Sequence, residues 1–372
     1  MEAIRPDRVI ETLNAAGFPA YYVGGCVRDR LLRRPIHDWD ITTAARPEQI
    51  MALFARCIPT GAKHGTVTVL EDGFCAEVTT FRADGAYLDG RHPQSVRFVP
   101  SLREDLARRD FTVNAMAMDA AGRITDLFGG QRDLAARRIR CVGDPETRFR
   151  EDALRMLRAY RFSAQLGFSI DPETEAAARR CAPLCAALSI ERIRDEMEKT
   201  LCSPAPRLLR EMAQIGLLRP AGIDALPALD DLAALPSGPA VRWSALKRCF
   251  PALDPARLRL PGRLCTQITA AAQSCQSNMD ALALKRCAAQ YGWEVAELTA
   301  ALTGTQALAS DIRASGACVS LRELAVGGQD FPDLHGAQIG AMLHRLLDHV
   351  LEHPEDNTRQ ALLSLAKRLS SE

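Results

Sequence analysis

"YYVGGCVRDRLLRRPIHDWDITT", residues 21–43, decides how the N-terminal part of this chain folds. An apolar run ends at Gly24 and Gly25, and amphipathic spacing through Cys26, Val27, Leu31 and Leu32 then predicts a helix. "DWDITT" follows as a second strand. Glycines let a backbone approach closely, and a helix N-terminus offers unpaired N–H groups and a positive dipole end, so the turn suits a phosphate, with Arg28 adding a charge-assisted contact. The turn is neither G-x-x-x-x-G-K-[ST] nor G-x-G-x-x-G, which leaves P-loop and Rossmann readings without support. On the second strand Asp38 and Asp40, at i and i+2, point to one face. Two like charges side by side repel unless a cation neutralises them, and a hard ion such as Mg²⁺ does so through oxygen while leaving room for substrate phosphates. A bare D-x-D is more often acidic decoration on a solvent-facing strand; the glycine turn beside it favours the metal platform. Glu77, on "CAEVTTF", offers a third carboxylate from a neighbouring strand, although an ordinary strand glutamate accounts for it equally well.

Outward from this stretch, short β-rich runs continue through "TVTVLE", "SVRFV" and "FTVNAMAMDA" to about residue 141. After "RCVGDPETRF" apolar residues recur at helical spacing almost to the end, with breaks at proline and glycine clusters such as "LRPAGIDALPAL" and "LPSGPAV". A chain of 372 residues exceeds the size of one ordinary core, so several domains are expected. With 47% hydrophobic and 25% charged residues, no uncharged apolar run long enough for a bilayer and no secretory signal, the chain reads as a cytoplasmic globular protein. The 12 cysteines are scattered without a C-x-x-C pair and read as free thiols. Net charge is only +1, so any nucleic-acid surface must be local. Arginine does cluster: residues 131–161 hold nine against five acids.

The matches to one family are long and in order: "GGCVRDRLLRRPIHDWDITT", "HGTVTV", "DGAYLDGRHPQSVRFV", "EDLARRDFTVNAMAMD", "DPETRFREDALRMLRAYRFSAQLGF" and "ERIRDEMEKTL". Over residues 20–201 the sequence closely resembles the class II tRNA nucleotidyltransferases, the bacterial-type CCA-adding enzymes of the polymerase β superfamily and poly(A) polymerase family. The resemblance implies an α+β palm-like nucleotidyltransferase head with a small mixed sheet, followed by all-α parts. The expected domains are a head at 1–141, a neck with a nucleotide-selecting template helix at 142–201, a body at 202–300, and a tail binding tRNA at 301–372. It implies a catalytic and metal-binding pair in Asp38 and Asp40 with Mg²⁺. Nucleotide binding falls to Gly25, Arg28, Arg109, Asp152, Arg155, Arg158 and Arg161, and ribose contact or support to Arg108, Asp110 and Glu151. The implied partners are CTP, ATP and the acceptor stem and elbow of tRNA; nothing points to a membrane or a stable protein partner.

Asp152 and Arg155, at i and i+3 of an expected helix, share a face. A carboxylate accepts and a guanidinium donates, which matches cytosine and adenine; uracil and guanine present the reverse pattern and leave buried polar groups unpaired. The segment "RADGAYLDGRHPQSVRFVPSLRED", residues 82–105, is the loop that in the family helps the site change from C to A addition, and it is complete here. The expected activity is addition of C, C and A to tRNA, with pyrophosphate released. An A-adding tRNA enzyme and a poly(A) polymerase share these motifs, and a non-catalytic RNA-binding protein would have had no need to keep the constellation whole.

Overall fold

The computed structural model describes residues 6–61, 65–71, 73–84 and 96–370, so residues 85–95 of the long loop lie outside it. The chain divides into two compact units, Met1–Leu226 and Pro227–Glu372. In the first, the order is α1 Asp7–Ala15, β1 Ala20–Val23, α2 Gly25–Leu31, β2 Trp39–Thr43, α3 Pro47–Leu53, β3 Cys57–Gly61, β4 Thr66–Glu71, β5 Phe74–Thr80, β6 Arg82–Asp84, β7 Val96–Phe98, α4 Leu102–Ala107, β8 Met116–Met118, β9 Ile124–Asp126, α5 Gly130–Ala135 and β10 Arg138–Ile139. Then come α6 Pro145–Glu151, α7 Leu154–Leu166, β11 Ser169–Ile170, α8 Pro172–Cys181, α9 Ile190–Leu201 and α10 Leu208–Gln214. The expected mixed head followed by helices is what the chain forms.

Seven strands make one sheet in the order β3-β4-β5-β2-β1-β8-β9. Its pairings are antiparallel except that of β2 with β5, which sets Asp40 beside Glu77 in register. Alternation along β5 buries Ala76, Val78 and Thr80 and leaves Cys75 and Glu77 exposed, so Glu77, and Asp40 with it, stand on the face that is not core. The other face is closed by Tyr22, Ile41, Val67, Val69 and Val78, all nearly inaccessible. β6 and β7 pair as a separate antiparallel ribbon at the foot of the long loop.

The run from Arg150 to Phe168 does not form the single helix its spacing predicts. α6 stops at Glu151, Asp152 takes an extended conformation (φ −144°, ψ 107°), and α7 starts at Leu154. The side chain of Asp152 accepts the Leu154 N–H at 3.0 Å, an aspartate's usual competition with the helical backbone, and so starts the second helix while ending the first. α7 is buried nearly all round, from Leu154 through Ala164, and Arg155 and Arg161 are buried with it. Arginines so placed must find carboxylates or carbonyls, and those partners determine the site below.

The second unit holds α11 Pro239–Cys249, α12 Gly262–Ser274, α13 Ala281–Tyr291, α14 Trp293–Thr303, α15 Gln306–Ala314, α16 Ala337–Glu352 and α17 Arg359–Ser370. Met279, Leu284, Ala300, Ala309 and Ile312 form one of its apolar clusters. Among the described residues none after Ile170 is in a strand, no helix is long and apolar enough to cross a membrane, and the twelve cysteines are free thiols.

Candidate active site

The site begins at the glycine turn. Gly24 has φ +79°, a conformation that L side chains rarely adopt, and a Cβ there would sit 3.2 Å from Arg109 Nη1 and 3.5 Å from Asp40 Oδ2. The missing side chain thus lets β1 pass directly beneath a guanidinium and a carboxylate that come from distant parts of the chain. Gly24→Ala should cost roughly 1–2 kcal/mol from backbone strain. It should also displace Arg109, so nucleotide affinity should fall together with the urea midpoint; wild-type values for both would contradict this account of the turn.

Asp40 carries the most perturbed carboxyl of the acidic face. Burial pushes its pKa up, Arg109 opposes, and Glu77 and Asp38 push it further, to about 6. Asp38 is exposed, one residue before β2 begins. Among the described residues no three histidine, cysteine, aspartate or glutamate side chains converge as a complete metal cage. The donor set nonetheless fits a divalent cation of the hard class: Asp40, Glu77 and Asp38 bring mutually repelling carboxylate oxygens together, and such an ion would draw its remaining ligands from substrate phosphates and water. Behind β2, the Cys26 thiol donates to the carbonyls of Val23 (3.3 Å) and Asp40 (3.7 Å). Burial pushes that thiol up to about 11, so it stays protonated and serves packing.

Asp105 of α4, fully buried, holds the arginines together. Its Oδ1 accepts from Arg108 Nε and Nη2 at 3.0 and 2.9 Å, and its Oδ2 from Arg109 Nη2 at 3.3 Å and from the Thr42 hydroxyl at 3.1 Å. Burial raises its pKa, but Arg109 and Arg108 outweigh burial and hold it below the usual range, so it is a carboxylate throughout the physiological range.

A second network joins α2 to α7. Arg28 donates to Asp29 through Nε and Nη2 (3.0 and 2.8 Å) and to Asn114 Oδ1 through Nη1 (2.8 Å). Asn114 donates to Asp110 Oδ1 at 3.2 Å, and Asp110 Oδ2 takes Arg158 Nε and Nη2 at 2.8 and 2.6 Å. Arg161 donates through Nε to Glu196 of α9 at 2.5 Å. The guanidinium carbons of Arg28, Arg158 and Arg161 lie 5.2, 5.2 and 3.9 Å from the ring centroid of Phe162, close enough for cation–π attraction. Burial pushes Asp110 up, yet Arg158 and the hydrogen bonds from Arg158 and Asn114 bring it to about 2. A carboxylate held there, against an ordinary value of 3.8, contributes roughly 2 kcal/mol. The sign follows from the depressed value: the contribution is full above about pH 4 and is lost as the pH falls through about 2. Asp110→Asn should therefore lose at least that much at pH 7 by urea unfolding, with the gap from wild type narrowing as the pH is lowered.

Asp152 and Arg155 lie on either side of the helix break, and their side chains reach different partners. Arg192 of α9 donates through Nη2 to both oxygens of Asp152, at 3.2 and 2.9 Å. Arg155 donates through Nη1 to Glu151 at 2.5 Å and to the Arg148 carbonyl at 3.2 Å, and through Nη2 to the Arg108 carbonyl at 2.9 Å. The tie between them is of the main chain, Arg155 N–H to the Asp152 carbonyl at 3.0 Å.

The structure thus gathers Gly24, Asp40, Glu77, Arg108 and Arg109 in one group, with Asp38 near enough to raise Asp40; Gly25, Arg28, Asp110, Arg158 and Arg161 fall in a second, and Glu151, Asp152 and Arg155 in a third. Arg155, bonded to the Arg108 carbonyl, links the third to the first. Gly25 opens α2 with Arg28 Nη2 3.6 Å from where its Cβ would be. Sequence reasoning missed Asp105, Asn114, Phe162, Arg192 and Glu196. Asp105 stood four residues before Arg109, a legible i,i+4 pair. Glu196 fell on the apolar stripe of Ile193, Met197 and Leu201, where a charge demands a partner. Nothing local marked the other three.

Comparison with known proteins gives a consistent picture. The family described as "Poly A polymerase head domain" matches residues 20–140, and "Probable RNA and SrmB- binding site of polymerase A" matches residues 167–226. A CCA-adding enzyme of Geobacillus thermodenitrificans is 55% identical over 210 residues, covering 56% of this chain and 52% of the relative. One from Leuconostoc citreum is 54% identical over 200 residues, covering 54% and 50%. In these alignments the chain spans about half the length of the curated relatives it matches. The crystal structure of the Bacillus stearothermophilus CCA-adding enzyme in complex with CTP superposes with a TM-score of 0.84 at 35% identity, covering 99% of each chain.

Proposed function

The chain belongs to the bacterial-type CCA-adding enzymes, and from that premise we propose that it adds C, C and A to the 3′ end of tRNA from CTP and ATP, releasing pyrophosphate. The observation that carries the reading is the juxtaposition at Gly24, where Asp40 Oδ2 and Arg109 Nη1 approach the same open point. One group suits a cation and the other a phosphate or a ribose oxygen, and a nucleoside triphosphate brings both. The relatives named for CCA addition and the neighbour bound to CTP support the same substrates.

In this reading Asp38 and Asp40 hold Mg²⁺, with Glu77 beside them in register. When bound, the ion supplies positive charge to the attacking 3′ oxygen and the departing pyrophosphate. Gly25, Arg28 and Arg109 seat the triphosphate and ribose, Arg158 and Arg161 add positive charge toward the nucleotide from their pairs with Asp110 and Glu196, and Arg108, Asp110 and Glu151 hold their neighbours in place. Asp152 and Arg155 select the base by offering an acceptor to the exocyclic amine and a donor to the adjacent ring nitrogen. The four-part division into head to 141, neck to 201, body to 300 and tail gripping the tRNA acceptor stem and elbow accompanies the reading, as does a cytoplasmic address.

The test is incorporation into tRNA transcripts ending at the discriminator base, at C and at CC, each supplied with one labelled nucleotide and Mg²⁺. C on the first two and a single A on the third is the expected pattern. A alone on the CC end points to an A-adding enzyme, long A tails to a poly(A) polymerase, and no incorporation sinks the catalytic reading.

A further inference from the structure

We infer that Asp105 is a positioning residue of the nucleotide site, aiming Arg109 at the point where Asp40 also opens. The inference rests on the nucleotide-transfer reading above. Four geometric facts support it. Asp105 is completely buried, so its four ligands are fixed by the protein and not by water. Its Oδ2 is shared between Arg109 Nη2 and the hydroxyl of Thr42, which lies two residues beyond Asp40 on the same face of β2; one oxygen thus ties the arginine to the strand that carries the carboxylate. Its Oδ1 takes the fork of Arg108 and also accepts the Arg82 N–H at 3.3 Å, which anchors β6 at the foot of the long loop. With Nη2 held by Asp105, Arg109 extends Nη1 to the open side of Gly24, while its Nε, buried, has no hydrogen-bond partner in the structure.

A buried donor left unpaired is costly, and a ligand that accepts from it recovers that cost on binding. Arg109 is therefore arranged as a half-satisfied fork: Nη2 is spent on Asp105, Nη1 lies at the glycine turn, and Nε is left buried and unpaired between them. A fork held by a carboxylate at one edge loses little rotational freedom when it meets an oxyanion, which is the advantage of preorganisation. The lone carbonyl of an amide at position 105 cannot serve all of these donors. Arg109 would then be free to swing onto Asp40 itself.

The measurement is CTP binding by calorimetry in the absence of tRNA, so that no turnover is involved, on wild type, Asp105→Asn, Arg109→Lys and the double variant. Because Asp105 is buried and its loss can unfold the head, Thr42→Val serves as a milder probe that keeps every charge and removes only the hydroxyl. Asp105→Asn should weaken CTP about ten- to a hundredfold, the double variant should be no weaker than the worse single one, and Thr42→Val should weaken binding a few fold. If Asp105→Asn melts lower but its folded fraction binds CTP as wild type does, or if the two single effects add in full, Asp105 is structural only and the inference fails. If wild type binds neither CTP nor ATP, the nucleotide reading falls, and this inference with it.

Discussion

Asp40→Asn should lower nucleotide incorporation by about a thousandfold or more while leaving the protein as stable as wild type, or more so. The two halves of this expectation have one cause. Asp40 is pressed by burial and by two neighbouring carboxylates until its pKa reaches about 6, so in the cation-free protein its charge is held at a cost. A folded-state pKa raised from 3.8 to about 6 means that stability is greatest below about pH 4 and declines as the pH rises toward 6. Asparagine is neutral at every pH, so the variant should melt higher than wild type at pH 8, and the difference should vanish near pH 4. Divalent cation should then stabilise the wild type and not the variant, because only the wild type has the charge that a hard ion repays. A variant that is inactive and also less stable at pH 8 would mean that Asp40 is a structural ion-pair partner of Arg109 and no metal ligand. Activity within tenfold of wild type would remove Asp40 from the chemistry altogether.

That conflict between stability and function explains which parts of this protein could be read from its sequence. "HDWDITT" was informative because it broke a local rule: like charges at i and i+2 of a strand-like run oppose folding and so advertise another purpose, although β2 itself begins at Trp39 and leaves Asp38 one residue outside it. The strand and helix order of the head was legible for the ordinary reason that period two and glycine punctuation are local. What was hidden depends on tertiary partners. The helix predicted through residues 150–168 keeps its apolar period across Asp152, and only the competing bond from Asp152 to the Leu154 N–H, with Arg192 arriving from α9, breaks it. The i,i+3 argument for Asp152 and Arg155 assumed one continuous helix and does not hold as stated; the two are brought near each other by a turn. Likewise Arg158 and Arg161, which the resemblance assigns to nucleotide binding, are already paired with Asp110 and Glu196 and stacked on Phe162, partners that no local pattern announced. A buried arginine and a solvent-facing one look alike until the residues around them are known.

The base-selecting role proposed for Asp152 has the second largest expected effect, and the geometry allows a sharp rival. Since Arg192 takes both of its oxygens, Asp152 could be no more than a hinge pin that links the α6–α7 break to α9. The two roles differ in what they do to different nucleotides. A carboxylate offers about four lone-pair sites, of which Arg192 and the Leu154 N–H occupy three, leaving one to accept the amine of cytosine or adenine. Arg192 then keeps the group ionised and oriented, much as Glu151 fixes Arg155. Asp152→Ala removes that acceptor. With CTP, kcat/KM should fall by about a hundredfold or more, because an amine that was paired is now buried without a partner. UTP should fall far less, since its O4 was never accepted by Asp152 and was instead repelled by it. The CTP-to-UTP preference should therefore collapse toward about tenfold from the large ratio that a polar, hydrogen-bonding site sustains. A hinge pin behaves otherwise: loosening the break lowers the active fraction and reduces all four nucleotides by one common factor. The preference is a ratio and is insensitive to how much protein is folded, so an unchanged ratio in the alanine variant, however low its absolute rate, would assign Asp152 to the hinge and leave base selection to be sought elsewhere.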